Sequence, residues 1–153
     1  MVEVNQSAPD FSLPATGDQT IALADLQGRR VVLYFYPRDS TPGCTREGQD
    51  FRDQYAEFQA LNTEILGVSR DSLRAHENFK AKQEFPFELL SDGDETLCQA
   101  FDVIKDKNMY GKVVRGIERS TFLIDEKGVL RQEWRKVRVP GHVDAVLAAV
   151  REL

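Results

Sequence analysis

The sequence predicts an α/β protein: a mixed central sheet flanked by helices. Three patterns carry that expectation. The six-residue run Val31-Val-Leu-Tyr-Phe-Tyr36 is short, apolar and rich in branched and aromatic side chains, as a buried strand is. Strand-like and helix-like segments then alternate, which implies parallel strands joined by helical crossovers. Late in the chain, Thr121-Phe-Leu-Ile124 and Val129 to Trp134 flank Asp125-Glu-Lys-Gly128, a hairpin signature that adds antiparallel strands.

In chain order, Ala8-Pro-Asp-Phe-Ser-Leu-Pro14 reads as a short extended piece bounded by prolines. Thr16-Gly-Asp18 is a turn, and Thr20-Ile-Ala-Leu23 alternates like an edge strand. Gly28-Arg-Arg30 leads into the strand at Val31. Phe51, Tyr55, Phe58 and Leu61 share one face of a helix over roughly 44–61. Glu64 to Ser69 reads as a strand, and Ser72 caps a helix to about Gln83. After Pro86, Leu89-Leu90 marks a short strand, Asp92-Gly93 a turn, and Asp94 to Phe101 a short helix. Pro140-Gly141 opens a last helix with Val143, Val146, Leu147 and Val150 on one face. The helices near 44 and 141 are expected to be the longest. A thioredoxin-like fold is the commonest small form of this arrangement, and residues 1–153 read as a single domain.

With 41% hydrophobic and 29% charged residues the composition is ordinary for a globular chain. A chain of this size buries roughly 70% of its unfolded surface, enough for a core without staples. A net charge of −5 argues against nucleic acid as a partner. The longest apolar run is six residues, against the ~20 that a membrane helix needs. The N-terminus has neither a basic start nor a long apolar run, so the expected location is cytoplasmic. Two cysteines in a reducing compartment do not predict a structural disulfide, and they are too few for a zinc site. No metal or cofactor is expected.

Cys44 is the candidate nucleophile. It lies between the strand and the helix, in Pro37-Arg-Asp-Ser-Thr41-Pro42-Gly43-Cys44-Thr45. Unpaired N–H groups and the helix dipole favour an anion at such a place, and a thiolate is one. A dithiol reductase needs a second cysteine three residues on, where this chain has Glu47. Glu47 itself reads as a first-turn acid, whose charge would disfavour a nearby thiolate. Acyl transfer needs a histidine base. His76, in a polar stretch, and His142, at the start of the last helix, both read as surface residues. A cysteine working alone suits a substrate with a weak bond, and peroxide is one: sulfur takes one oxygen and the other leaves.

The string Tyr36-Pro37-Arg-Asp-Ser-Thr41-Pro42-Gly43-Cys44-Thr45-x-Glu47 resembles the peroxiredoxin active-site motif, and specifically its PrxQ form, also called bacterioferritin comigratory protein. Ala8-Pro-Asp-Phe11, Met109-Tyr-Gly111 and Gly116-Ile-x-Arg119-Ser-Thr-Phe-x-Ile-Asp125 agree with the same family, in the same order, over nearly the whole chain. The resemblance implies a thiol peroxidase acting on hydrogen peroxide and organic hydroperoxides. It assigns Cys44 as peroxidatic cysteine and Thr41 as the hydroxyl that bonds the peroxide. Arg119 would hold thiolate and peroxide oxygens, and Pro37 would shield the sulfur. A monomer is expected. Beside these roles stand plainer ones: Thr41 as an N-cap, Pro37 as a strand terminator, Arg119 as a surface charge.

The chain departs from the family where a second, resolving cysteine belongs. Gln49 stands five residues after Cys44, and Lys80 stands at the matching place in the next long helix. Only Cys98 remains. Between Leu97 and Phe101 on an apolar stripe, it reads as a core residue rather than a resolving thiol. The expected cycle therefore uses one cysteine, recycled by an external thiol such as glutathione with glutaredoxin, or thioredoxin. The alternatives are an atypical two-cysteine cycle through Cys98, a peroxide-sensing signalling module, and a binding domain in which Cys44 is inert.

Overall fold

The computed structural model describes residues 2–153. Its first half runs β1 (Ser12–Ala15), β2 (Gln19–Ala22), a 3-10 turn (Leu23–Leu26), β3 (Arg30–Phe35), α1 (Pro42–Asp53), α2 (Tyr55–Ala60) and β4 (Thr63–Ser69). The second half runs α3 (Leu73–Gln83), β5 (Glu88–Ser91), α4 (Thr96–Ala100), β6 (Ile104–Met109), β7 (Lys112–Ile117), β8 (Ser120–Ile124), β9 (Leu130–Trp134) and α5 (His142–Arg151). Seven strands form one sheet in the order β2-β1-β5-β4-β3-β8-β9. β3, β4 and β5 are parallel, joined by the expected crossovers, while β8, β9, β1 and β2 add antiparallel pairings. This is the mixed, thioredoxin-like sheet that the sequence predicts.

Alternation along β3 divides the interior into two cores. Val31, Leu33 and Phe35 face a core that contains Leu66, Val68, Leu90, Leu97, Cys98, Phe101 and Phe122. Val32 and Tyr34, with Tyr36 just beyond the strand, face a second core that contains Cys44, Phe51, Phe58, Phe79, Leu123 and Val146. Helices α1, α2, α3 and α5 all supply the second core, and only the short α4 among the α-helices supplies the first. β3 is buried from both sides because both of its faces are covered. No helix is long and apolar enough to cross a membrane, among the described residues.

The helix expected over 44–61 is broken at Gln54, whose ψ of 10° leaves the helical range. Its apolar stripe runs across the break, so Phe51 and Phe58 still meet, with ring centroids 5.9 Å apart. The pattern therefore hides the kink. In length α1 has 12 residues and α3 has 11, so α3 exceeds the 10 of α5, which was expected to be among the longest. The sequence reading assigns no secondary structure between Phe101 and Thr121, yet β6 and β7 pair there as a separate two-stranded ribbon. The ribbon is mostly exposed on both faces, so no buried side imposes a two-residue period on its sequence.

Candidate active site

β3 aims the chain at the site, and α1 begins there. Thr41 is the N-cap residue of α1, and Cys44 is its third helical residue. The first backbone bond of the helix is Thr45 N–H to Thr41 O, at 2.9 Å. The amides of Gly43 and Cys44 therefore precede the intrahelical ladder and point out of the helix start, where they favour negative charge. The Thr41 hydroxyl does not cap these amides. It donates to Arg38 O at 2.8 Å, which leaves its lone pairs free to accept.

Arg119 enters from the end of the loop joining β7 to β8. Its carbonyl accepts from Val137 N–H at 3.0 Å, and its side chain is only 16% exposed. Its Nη2 lies 3.3 Å from Cys44 Sγ, and its Nη1 donates to Glu47 Oε1 at 2.6 Å. Gly43 makes room for this approach: a Cβ there would stand 3.1 Å from Arg119 Nη2. Arg119 is thus no surface charge. The guanidinium bridges the sulfur to a buried carboxylate.

Glu47 is the residue that sequence reasoning misread. It lies in the second turn of α1, fully buried, rather than in an exposed first turn. Cys44, Glu47, Gly48 and Phe51 form the buried stripe of α1 at spacings of three, four and seven, so periodicity was the available signal. Gly48 is needed on that stripe because a Cβ would stand 2.3 Å from Phe85 Cζ. Burial pushes the Glu47 carboxyl up to about 7, against the opposing pull of Arg119. Glu47 Oε2 has no hydrogen-bond partner among the described residues. His142 Nε2 lies 4.0 Å from that oxygen, and it pairs with Thr121 Oγ1 at 2.8 Å.

Both histidines are buried, contrary to expectation. His142 turns under α5 against Phe51 and Trp134, and burial, then the charge of Arg119, lower it to about 4. His76 shares the inward face of α3 with Phe79, three residues on. Its Nδ1 pairs with Asp39 Oδ2 at 2.7 Å and its Nε2 with Leu90 O at 2.9 Å. Asp39 also accepts from Tyr36 Oη at 2.6 Å, and its amide donates to Asp71 Oδ2 at 2.9 Å. This network fastens the loop that carries Pro37 and Thr41 to α3 and β5. Asp39, Asp71 and His76 are close enough to hold a metal ion. Their atoms are already engaged with one another, with Tyr36, with Ser69 and with Leu90, so the cluster reads as a clasp.

Pro37 is half-buried and lines a cavity of about 380 Å³ with Arg38, Arg70, Asp71, Gly93 and Glu95. Another cavity, of about 250 Å³, lies between the N-terminal segment and the Asp125–Gly128 turn, and no cysteine or histidine lines it. Cys98 is fully buried in the core on the other face of the sheet from Cys44. Burial, with Asp92 beside it, pushes its thiol well above the ordinary value.

Comparison with known proteins agrees with this geometry. The AhpC/TSA family model matches residues 4–133. Peroxiredoxin Bcp of Xanthomonas campestris is 56% identical over 151 residues, covering 99% of this chain and 94% of that one. Peroxiredoxin Bcp of Bacillus subtilis is 49% identical over 152 residues, covering 99% and 97%. A solved structure of Xanthomonas campestris bacterioferritin comigratory protein, described for its alkyl peroxide reduction activity, superposes with a TM-score of 0.92 at 54% identity. It covers 98% of both chains. A sulfur at a helix start with a guanidinium against it, on a sheet shared with such relatives, leads to one conclusion: the chain belongs to the AhpC/TSA family, as a peroxiredoxin of the Bcp (PrxQ) type, a peroxidase that oxidises a thiol to reduce peroxide.

Proposed function

We propose that Cys44 reduces hydrogen peroxide and organic hydroperoxides in a one-cysteine cycle completed by an external thiol. The contact of Arg119 Nη2 with Cys44 Sγ, at 3.3 Å, carries the assignment of the sulfur. The thiolate attacks one peroxide oxygen, the O–O bond breaks, and the leaving oxygen takes up a proton as water or alcohol. The sulfur is oxidised to a sulfenic acid. Thr41 Oγ1, its hydrogen already committed to Arg38 O, accepts the peroxide O–H and so turns the peroxide toward the sulfur. Arg119 and the amides of Gly43 and Cys44 stabilise the charge that moves from sulfur to oxygen. Pro37, just after β3 on the clasped loop, takes from the family resemblance the role of keeping water from the sulfur.

Recycling then needs two electrons from outside. One thiol condenses with the sulfenic acid, forming an S–S bond and releasing water. A second thiol displaces it, returning Cys44 and leaving an external disulfide. Three observations favour this over an internal resolver. Cys98 lies across the sheet from Cys44, its thiol is buried, and its amide is tied to Asp92 Oδ2 at 2.7 Å. Gln49 bonds Gln83 at 3.0 Å, and Lys80 pairs with Glu88, where the family resemblance expects resolving cysteines. Free thiols fit a reducing compartment, which we take to be the cytoplasm, where glutathione with glutaredoxin or thioredoxin would serve and the chain would act as a monomer.

Mass spectrometry after one equivalent of peroxide tests the cycle. A chain one oxygen heavier, with the oxygen on Cys44, is expected. A chain lighter by two hydrogens, with Cys44 bonded to Cys98, would overturn it.

A further inference from the structure

The β6–β7 ribbon is an arm that the reaction above does not use. Each strand has six residues, so the arm reaches about 20 Å at ~3.3 Å per residue. Its base is fixed to the body. Glu118 N–H donates to Val103 O at 2.7 Å, and Arg115 grips Glu95, which also takes Arg70. Its outer end is bare: Tyr110 is wholly exposed, Val113 is 74% exposed, and Met109 is half exposed beside them. Apolar side chains gathered on one exposed element mark an interaction surface.

The register gives that surface its charge. Lys107 pairs with Val114 and Met109 with Lys112, so Lys105, Lys107 and Lys112 share one face with Met109 and Val114. Of the ribbon's own residues that face holds three lysines and no acid, on a chain of net charge −5, and at its base Lys105 pairs with Asp102 Oδ2 at 3.2 Å. Asp106 falls on the opposite face, across from Arg115. The basic face leads toward the sulfur. Lys107 is half-buried, and its Nζ donates to the carbonyl of Ile117, two residues before Arg119. Burial and then the charge of Arg119 lower its ammonium, while Glu118 and Cys44 act the other way.

We propose that this arm docks the protein that regenerates Cys44: an acidic dithiol protein whose apolar rim covers Met109, Tyr110 and Val114 while its carboxylates meet the lysines. The proposal rests on the external-thiol reading above. A small thiol such as a tripeptide cannot cover an arm of this length, whereas a protein can. Two proteins of net negative charge repel at long range, so productive encounter needs a local basic strip beside the reacting atom. The docked dithiol supplies both electrons in one encounter. Its first thiol bonds to Cys44 with loss of water, and its second displaces Cys44 and closes the partner's own disulfide.

Steady-state peroxide reduction by the full chain tests this, with thioredoxin as the acidic dithiol protein and dithiothreitol as the small dithiol. Lys112→Glu and the double variant Tyr110→Ser, Val114→Ser are expected to raise the thioredoxin KM by about ten-fold. Turnover with dithiothreitol and single-turnover oxidation by peroxide should stay unchanged. Added salt should raise the thioredoxin KM of the wild type and do so less for Lys112→Glu. Unaltered thioredoxin kinetics in the variants would overturn the docking role, and so would an equal loss with dithiothreitol. Turnover of the wild type by dithiothreitol but not thioredoxin overturns docking and leaves the external-thiol cycle standing. Turnover by neither removes both. Concentration-dependent sedimentation of the wild type, lost in the double variant, would assign the arm to a second copy of this chain instead.

Discussion

Arg119 holds Cys44 Sγ with one nitrogen and Glu47 with the other, at 3.3 and 2.6 Å. Its value to the reaction can be bounded. A free thiol of pKa ~8.5 is roughly 3% ionised at pH 7, so complete ionisation gains at most about 30-fold. Greater acceleration has to come from groups that hold charge as the O–O bond breaks. Arg119→Ala is therefore expected to slow single-turnover oxidation of Cys44 by more than about 30-fold, with the thiol assayed at a pH where it is ionised in both proteins. An unchanged rate would remove Arg119 from the machinery. At this scale the place of Cys44 at a helix start was legible from the strand before it and the apolar helical stripe after it, whereas Thr41, Pro37 and Arg119 entered only through the family resemblance. Glu47 was not legible, because an acid near a helix start looks like a solvated one until its stripe is read with Phe51. His76 was hidden for a related reason. The polar residues around it mark the outer face of α3, and its own partners, Asp39 and Leu90, are distant in sequence.

Between elements, α1 and α5 bring two titrating groups together, and their effects on stability have opposite sign. Glu47 moves from its ordinary value of 4.5 up to about 7 in the fold. Between those values the folded chain holds a proton that the unfolded chain lacks, so stability falls as pH rises. His142 moves from 6.5 down to about 4. There the unfolded chain holds the extra proton, so stability rises with pH. From about pH 4.5 to 6.5 the two slopes oppose, each at most ~1.4 kcal/mol per pH unit. Denaturant melts across this range should show the Glu47→Gln variant gaining stability relative to wild type as pH rises, and His142→Gln losing it. Differences independent of pH would mean that neither group is shifted by the fold. Element patterning showed β3, β4, β8, β9 and α5 because each has a buried face. It missed β6 and β7, which have none to speak of, and the break at Gln54, across which the apolar stripe continues.

Across the whole molecule, the sheet separates the two thiols. Cys44 lies in the core made by α1, α2, α3 and α5, and Cys98 in the core on the opposite face. A disulfide between them needs Cα atoms roughly 4.4–6.8 Å apart, so at least one thiol would have to leave its core. Cys98→Ser should therefore keep full turnover with an external thiol, and loss of turnover with intact first oxidation would bring Cys98 into the cycle. The sheet order itself was legible only as a class. Alternation in sequence implies parallel crossovers, but nothing in a single sequence says that four of the helices settle on one face.

That division of the interior also makes the chain a depth gauge. Cys44 sits in the first turn of α1, just after the loop that Asp39 and His76 clasp, and loosening that clasp uncovers it while the strands stay paired. Cys98 is uncovered only when a core that draws on residues from Val2 to Leu130 comes apart. Timed alkylation in mild urea should label Cys44 first, at a cost in free energy well below that of complete unfolding, and Cys98 with the global transition. Simultaneous labelling would mean that the clasp and the core open as one.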